Sequence, residues 1–210
     1  MLETLSTSKS EILDAAAWCF MTQGCDSASI DDIAGHLGST KGRIYHHFPS
    51  KGALLSAVQL RAARFTYRAV APVVDLDLSP DRCLHQMSRT HVQEVLRTLP
   101  YHKVVLQSFS AVDPKSPIAF EQDLRTQLRK EQRYYAGLFL DVIKRGQTDG
   151  CFTMGGDPRV AMASVLTLLN APLFWYQPRQ DNSKRFDTAL AGQLAAMAVA
   201  SLKHPSDGAL

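Results

Sequence analysis

An all-α protein is predicted: a small N-terminal head of three helices, in helix-turn-helix form, joined to a larger helical domain, with about nine helices in all. Three observations carry this. Apolar residues recur at three- and four-residue spacing through most of the 210 residues, and no convincing period-two alternation appears. Serine, threonine and aspartate caps, stop glycines and prolines then divide the chain into helix-length pieces.

Ser8 or Ser10 can cap a first helix whose stripe is Ile12, Leu13, Ala16, Cys19 and Phe20, with Gly24 as its stop. Ser29 opens a short second helix. Asp32, three residues on, forms a shortened capping box, Ile30, Ile33, Ala34 and Leu37 make the buried face, and Gly38 ends it. Thr40 opens a third helix, Lys41 to Phe48, which Pro49 stops. Ser50 starts a fourth, running to about Val70 before Pro72. Ser79-Pro80 is a cap followed by proline in the first turn, leading a helix to Leu99. Pro100 separates it from a helix over Tyr101 to Val112. The composition of residues 113–117 predicts a loop. A long helix covers about Ile118 to Gln147 and closes at Gly150. Asp157-Pro158 starts another, reaching Tyr176, and a last helix covers about Ser183 to Lys203.

Composition bounds the class. Apolar residues make up 45% and charged residues 20%, ordinary for a soluble globular protein. Met1 to Ser10 has no apolar core, so no signal peptide is expected. The uncharged stretches 160–178 and 188–202 are interrupted by Asn170 and Pro172 or dominated by alanine, so they are expected as buried helices rather than membrane spans. The four cysteines show no C-x-x-C spacing, which argues against a zinc site or a disulfide framework and suits a cytoplasmic protein.

The net charge of +3 matters less than its placement. Residues 33–74 hold no Asp or Glu, yet carry Lys41, Arg43, Lys51, Arg61, Arg64 and Arg68 with His36, His46 and His47. Such a segment suits an anionic partner, of which the phosphate backbone is the commonest. The first 32 residues are acidic, with six acids against Lys9, so a DNA-facing surface must be local.

Gly38-Ser39 joins two short helices on a preceding one, the arrangement of a helix-turn-helix. The third helix turns Ile44 and Phe48 inward and exposes Lys41, Arg43, Tyr45, His46 and His47, donors for base edges and phosphates. Gly42 removes a side chain where the backbone would approach DNA. Ser29 and Thr40 lie at helix N-termini that favour a phosphate, and Lys51 can clamp the backbone beyond the third helix. The segment from Ile12 to Ala16, Phe20, Gly24, and Ser29 to Ala34 resembles the N-terminus of TetR-family regulators. The run Lys41-Gly42-Arg43-Ile44-Tyr45-His46-His47-Phe48-Pro49-Ser50-Lys51 matches that family's signature. Arg43 departs from it, since the family usually carries a small residue there. A longer donor can reach guanine N7 and O6, or lie along the phosphates.

This resemblance implies an all-helical homodimer that binds a double-stranded DNA operator. It divides the chain into a DNA-binding domain, residues 1–50, and a ligand-binding and dimerisation domain, residues 51–210. It also implies a fourth helix linking the head to an effector pocket, and two last long helices that form the dimer interface. The apolar stripes Ala161, Val165, Leu168, Leu169 and Leu173, and Leu190, Leu194, Met197 and Leu202, suit that interface independently. The expected function is a repressor released from a palindromic operator by a small-molecule effector, with an activator or a ligand-independent DNA binder as the alternatives. Met87, His91, Phe109, Tyr134, Tyr135, Phe139 and Trp175 are the candidates to line the pocket. The segment from Asn170 to Pro178 resembles the N…WYxP ending of TetR-type regulators of steroid and fatty-acid degradation, implying an acyl-CoA or related metabolite. Arg61, Arg64 and Arg68 recur along the fourth helix and can approach DNA, pair within the ligand domain or solvate one face. G-x-S-x-G, H-E-x-x-H, G-x-G-x-x-G and P-loop motifs are absent, so no enzyme and no cofactor is expected. No metal site is expected either: His46 and His47 point to different sides of a helix, and His85 and His91 share a face poorly.

Overall fold

A computed structural model describes residues 7–108, 118–178 and 183–203. Every regular element among them is helical: α1 Thr7–Gln23, α2 Ile30–His36, α3 Lys41–His47, α4 Lys51–Val74, α5 Pro80–Arg97, α6 Leu99–Gln107, α7 Ala119–Thr148, α8 Pro158–Asn170, α9 Pro172–Trp175 and α10 Ser183–Ala200. The chain divides into two compact units, residues 1–64 with 98–131, and residues 65–97 with 132–210.

In the first unit α1 packs on α2 and α6, and α2 on α3. Ile12, Ala16, Phe20, Ile33, Ile44, Phe48, Leu54 and Val58 of this unit are all at most 1% exposed. Each of these side chains larger than alanine contributes about 1.5–3 kcal/mol by leaving water. Gly24 and Gly38 close their helices at φ 91° and 61°, in the left-handed region that a side chain disfavours. At Gly38 the Ser39 N–H donates to the Ala34 carbonyl and the Gly38 N–H to that of Gly35, satisfying the last carbonyls of α2.

Four expected boundaries move. α1 begins at Thr7, so Ser8 and Ser10 lie inside the helix and their hydroxyls serve tertiary contacts instead. α4 continues through Pro72 to Val74. Pro72 is exposed near the helix end, where water can satisfy the freed Arg68 carbonyl, while buried Val70 and Val73 hold the last turn. Pro100 sits in the first turn of α6 rather than before it, because proline has no N–H that this turn would need. Pro172 likewise ends α8 and starts the short α9, so the expected single helix to Tyr176 is two pieces.

In the second unit α5 lies along α10, and α8 contacts both. Alanines 191, 195 and 198 of α10 are fully buried. The turn after α7 folds back on it: the Phe152 N–H donates to the Gly146 carbonyl at 3.0 Å, and the Phe152 ring covers Gly146. A Cβ at position 146 would stand 2.2 Å from Phe152 Cδ2. Gly146→Ala should therefore lower stability by about 1–3 kcal/mol in chemical denaturation, as the ring has to leave its site. An unchanged midpoint would show that the turn repacks freely.

Candidate nucleic-acid interface

α2 and α3 are held by their caps. Ser29 Oγ accepts from the Asp32 N–H at 3.1 Å, and the Asp32 carboxylate accepts from the Ser29 N–H at 2.8 Å. The Ser29 hydroxyl, which donates to the Asp32 carboxylate at 2.5 Å, and then the Ser29 N–H hold the Asp32 carboxyl below the usual carboxylate range. Thr40 Oγ1 accepts from the Arg43 N–H at 3.4 Å at the start of α3. Ile44 and Phe48 face inward, and Leu37, expected to be buried, is half-buried at the end of α2.

The outer face of α3 then follows from helical geometry. Lys41, Gly42, Tyr45 and His46 are exposed, and Arg43 and His47 lie half-buried at its edge. Lys41 Nζ lies 2.7 Å from the Asp31 carboxylate, a pair largely in water. Tyr45 is 49% exposed, and its hydroxyl makes no hydrogen bond among the described residues. Arg43 reaches back to α1, donating from Nε to Ser8 Oγ at 3.1 Å and from Nη2 to the Glu11 carboxylate. Ser8 Oγ is also 3.3 Å from His47 Nε2. Burial, then the charges of His46, Lys9 and Arg43, push His47 below its ordinary range. Lys51 Nζ donates to the Asp26 carbonyl at 2.7 Å, fastening the start of α4 to the loop before α2. All nine sequence-predicted residues thus belong to one small module. Ser8 and Glu11 were not visible in the sequence as neighbours of α3, since no local pattern announces a contact across more than thirty residues.

The α4 arginines divide. Arg61 donates to the Ser10 carbonyl at 3.1 Å and to Ser10 Oγ at 2.7 Å, lies 3.7 Å from Asp14 and stacks over the Tyr101 ring. Arg64 bonds Gln127 at 3.2 Å and Glu131 at 3.5 Å on α7. Of the three alternatives, solvation of a helix face describes exposed Arg68 alone.

The pocket candidates separate as well. Met87, His91, Tyr135 and Phe139 are buried in the second unit, and His91 Nδ1 shares a hydrogen bond of 2.5 Å with the Tyr135 hydroxyl. Burial drops His91 to about 4 and raises the Tyr135 phenol well above its ordinary value, so both are neutral at pH 7. Tyr134 is 59% exposed, because the residue beside Tyr135 points about 100° away around α7. Trp175 is 54% exposed on α9. Phe109 lies outside the described residues. Among the described residues no three His, Cys, Asp or Glu side chains converge to hold a metal ion, and no helix is long and apolar enough to cross a membrane.

A capped α2, a Gly38 turn and an α3 that buries Ile44 while exposing donors define a helix-turn-helix DNA-binding regulator. Residues 12–58 match the family model for bacterial regulatory proteins of the tetR family, and residues 77–202, more than half of the chain, match the tetracyclin repressor-like C-terminal domain. The chain belongs to the TetR family of transcriptional regulators. It is 24% identical over 180 residues to the HTH-type transcriptional repressor KstR2 of Rhodococcus jostii (strain RHA1), covering 81% of this chain and 80% of that protein. The fold is similar to that of PfmR from Thermus thermophilus, with a TM-score of 0.77 at 23% identity over 92% of this chain and 99% of that one. It is also similar to AibR, solved in complex with isovaleryl coenzyme A and operator DNA, with a TM-score of 0.75 at 20% identity over 95% of this chain and all of that one.

Neutral His91 sets a pH dependence. Its folded pKa is depressed, so the unfolded chain takes up its proton first, and stability falls as pH drops below the ordinary value of 6.5 toward 4. From about pH 7 to about pH 4.5 the wild type should lose about 2–3 kcal/mol more than His91→Leu. Denaturation curves at both pH values check this, and equal losses would place the acid sensitivity elsewhere.

Proposed function

We propose that this protein is a homodimeric repressor whose α3 reads a palindromic operator and which a small-molecule effector releases. The observation that carries this reading is the outer face of α3, where Lys41, Tyr45 and His46 stand exposed in a helix-turn-helix whose inner face is fully packed. We assign operator contact to Ser29, Thr40, Lys41, Gly42, Arg43, Tyr45, His46, His47 and Lys51. Residues 1–50 then form the DNA-binding domain and residues 51–210 the ligand-binding and dimerisation domain.

Of the expected interface stripes, Val165, Leu169, Leu173, Leu190, Leu194 and Leu202 are buried within the chain itself, and dimerisation is supported instead by exposed apolar side chains on α8, α9 and α10. Val160, Phe174, Trp175 and Met197 are 65%, 73%, 54% and 54% exposed, more apolar surface than a monomer ordinarily leaves in water. A dimer of this kind has to place its two α3 helices roughly 34–36 Å apart to enter successive major grooves. The effector acts by preferring a conformation with another spacing, and a differential affinity of about 1–3 kcal/mol changes operator binding about 5- to 150-fold.

For the effector we propose an acyl-CoA or related thioester. Its apolar part would pack against Met87, His91, Tyr135 and Phe139, with Phe109, Tyr134 and Trp175 as further candidates. The Asn170-to-Pro178 resemblance and the isovaleryl coenzyme A bound to AibR support this class. A thermal-shift panel of CoA thioesters and free acids tests it: stabilisation by thioesters, with release from DNA, is the expected outcome, and no stabilisation by any of them overturns it.

Selection of bound genomic fragments should yield one palindromic motif, whereas even binding to unrelated DNA would overturn the repressor reading. On that motif Tyr45→Phe should weaken binding about three- to tenfold with an unchanged melting temperature, because only a phosphate hydrogen bond is lost. Lys51→Ala should lower the salt slope by about one. Unchanged affinity in both variants would remove α3 from the DNA interface. Met197→Arg should give a monomer in sedimentation at concentrations where the wild type is a dimer; a persisting dimer would exclude this face.

A further inference from the structure

Arg43 is the residue at which this chain departs from its family's pattern, and α1 holds it. Nε and Nη2 form one edge of the guanidinium plane, and both are engaged, Nε with Ser8 Oγ at 3.1 Å and Nη2 with the Glu11 carboxylate. The remaining edge keeps the two hydrogens of Nη1 and one of Nη2, directed away from both partners. None of these three makes a hydrogen bond among the described residues.

The pair is a poor candidate for stability alone. The Arg43 and Glu11 side chains are 35% and 49% exposed, and ion pairs so open to water contribute little. Glu11 also places an acid beside a face that has to approach phosphates, which weakens binding to any sequence. An acid kept there has to act on what Arg43 does. A free arginine in this position would swing to the nearest phosphates and bind every sequence alike. A carboxylate on its side edge denies that edge to phosphate by charge and by occupancy, and leaves the end edge to the base pairs. Ser8 completes the clamp: its oxygen accepts from Arg43 Nε at 3.1 Å and lies 3.3 Å from His47 Nε2.

We propose that Ser8 and Glu11 are positioning residues that present the end edge of Arg43 to guanine O6 and N7 in the major groove, making α1 a determinant of operator sequence. This rests on the DNA-reading role of α3. Glu11 needs no contact with DNA for it; its effect passes through the guanidinium.

Selection from a random duplex library, with the full-length wild type, Arg43→Ala, Arg43→Lys and Glu11→Gln, tests the inference. The wild-type motif should contain one guanine per half-site whose preference Arg43→Ala abolishes. Arg43→Lys should not restore it, since an ammonium cannot make the planar two-bond contact. Glu11→Gln should lower the preference for that guanine about tenfold and raise affinity for unrelated DNA, with an unchanged melting temperature. A guanine preference kept intact in Glu11→Gln overturns the inference, as does an equal loss at every position of the motif, which a merely structural residue would cause. A wild type that selects no motif overturns the DNA-reading role itself and the inference with it.

Discussion

The first unit depends on how Arg61 is satisfied. A guanidinium only 16% exposed cannot be left without partners, since an unpaired buried cation costs several kcal/mol. Arg61 finds them on α1 and α6: the carbonyl and hydroxyl of Ser10, the Asp14 carboxylate and the face of Tyr101. Tyr101 closes the ring by donating its hydroxyl to Asp14 at 2.5 Å, and burial keeps the phenol protonated. α1, α4 and α6 are thereby tied at one point. Because α1 also carries Ser8 and Glu11 to α3, α3 is tied to α4 through α1.

Local chemistry was legible in the sequence where it is decided locally. The capping box of Ser29 and Asp32, the stops at Gly24, Gly38 and Gly150, and the inward pair Ile44 and Phe48 each follow from residues within a few positions of one another. What escaped depends on distant partners. Ser8 and Ser10 have the chemistry of helix caps, and only the fold reveals that Arg43 and Arg61 claim their hydroxyls. Pro72 has the chemistry of a stop, yet water and two buried valines let α4 run past it. Among the pocket candidates, periodicity groups Met87 with His91 correctly and cannot tell Tyr134 from Tyr135 until the inward face of α7 is known.

Charge shows the same division with a functional consequence. The acid-free segment from residue 33 to 74 gives the composition of a basic surface, but its cations are answered by acids outside it: Lys41 by Asp31, Arg43 by Glu11, Arg61 by Asp14, Arg64 by Glu131. Exposure sorts these pairs. Lys41 and Asp31 have side chains 54% and 64% exposed, so their attraction is screened and a phosphate can displace the carboxylate at little cost. Arg61 and Arg64 are 16% and 22% exposed and have neutral hydrogen-bond partners besides their acids, so exchange would break several bonds at once. On the operator contacts proposed above, the Lys41–Asp31 pair is therefore the positive charge that a phosphate can claim, and the Arg61 and Arg64 pairs are framework. A count of lysines and arginines overstates the first group, and burial is what separates it from the second.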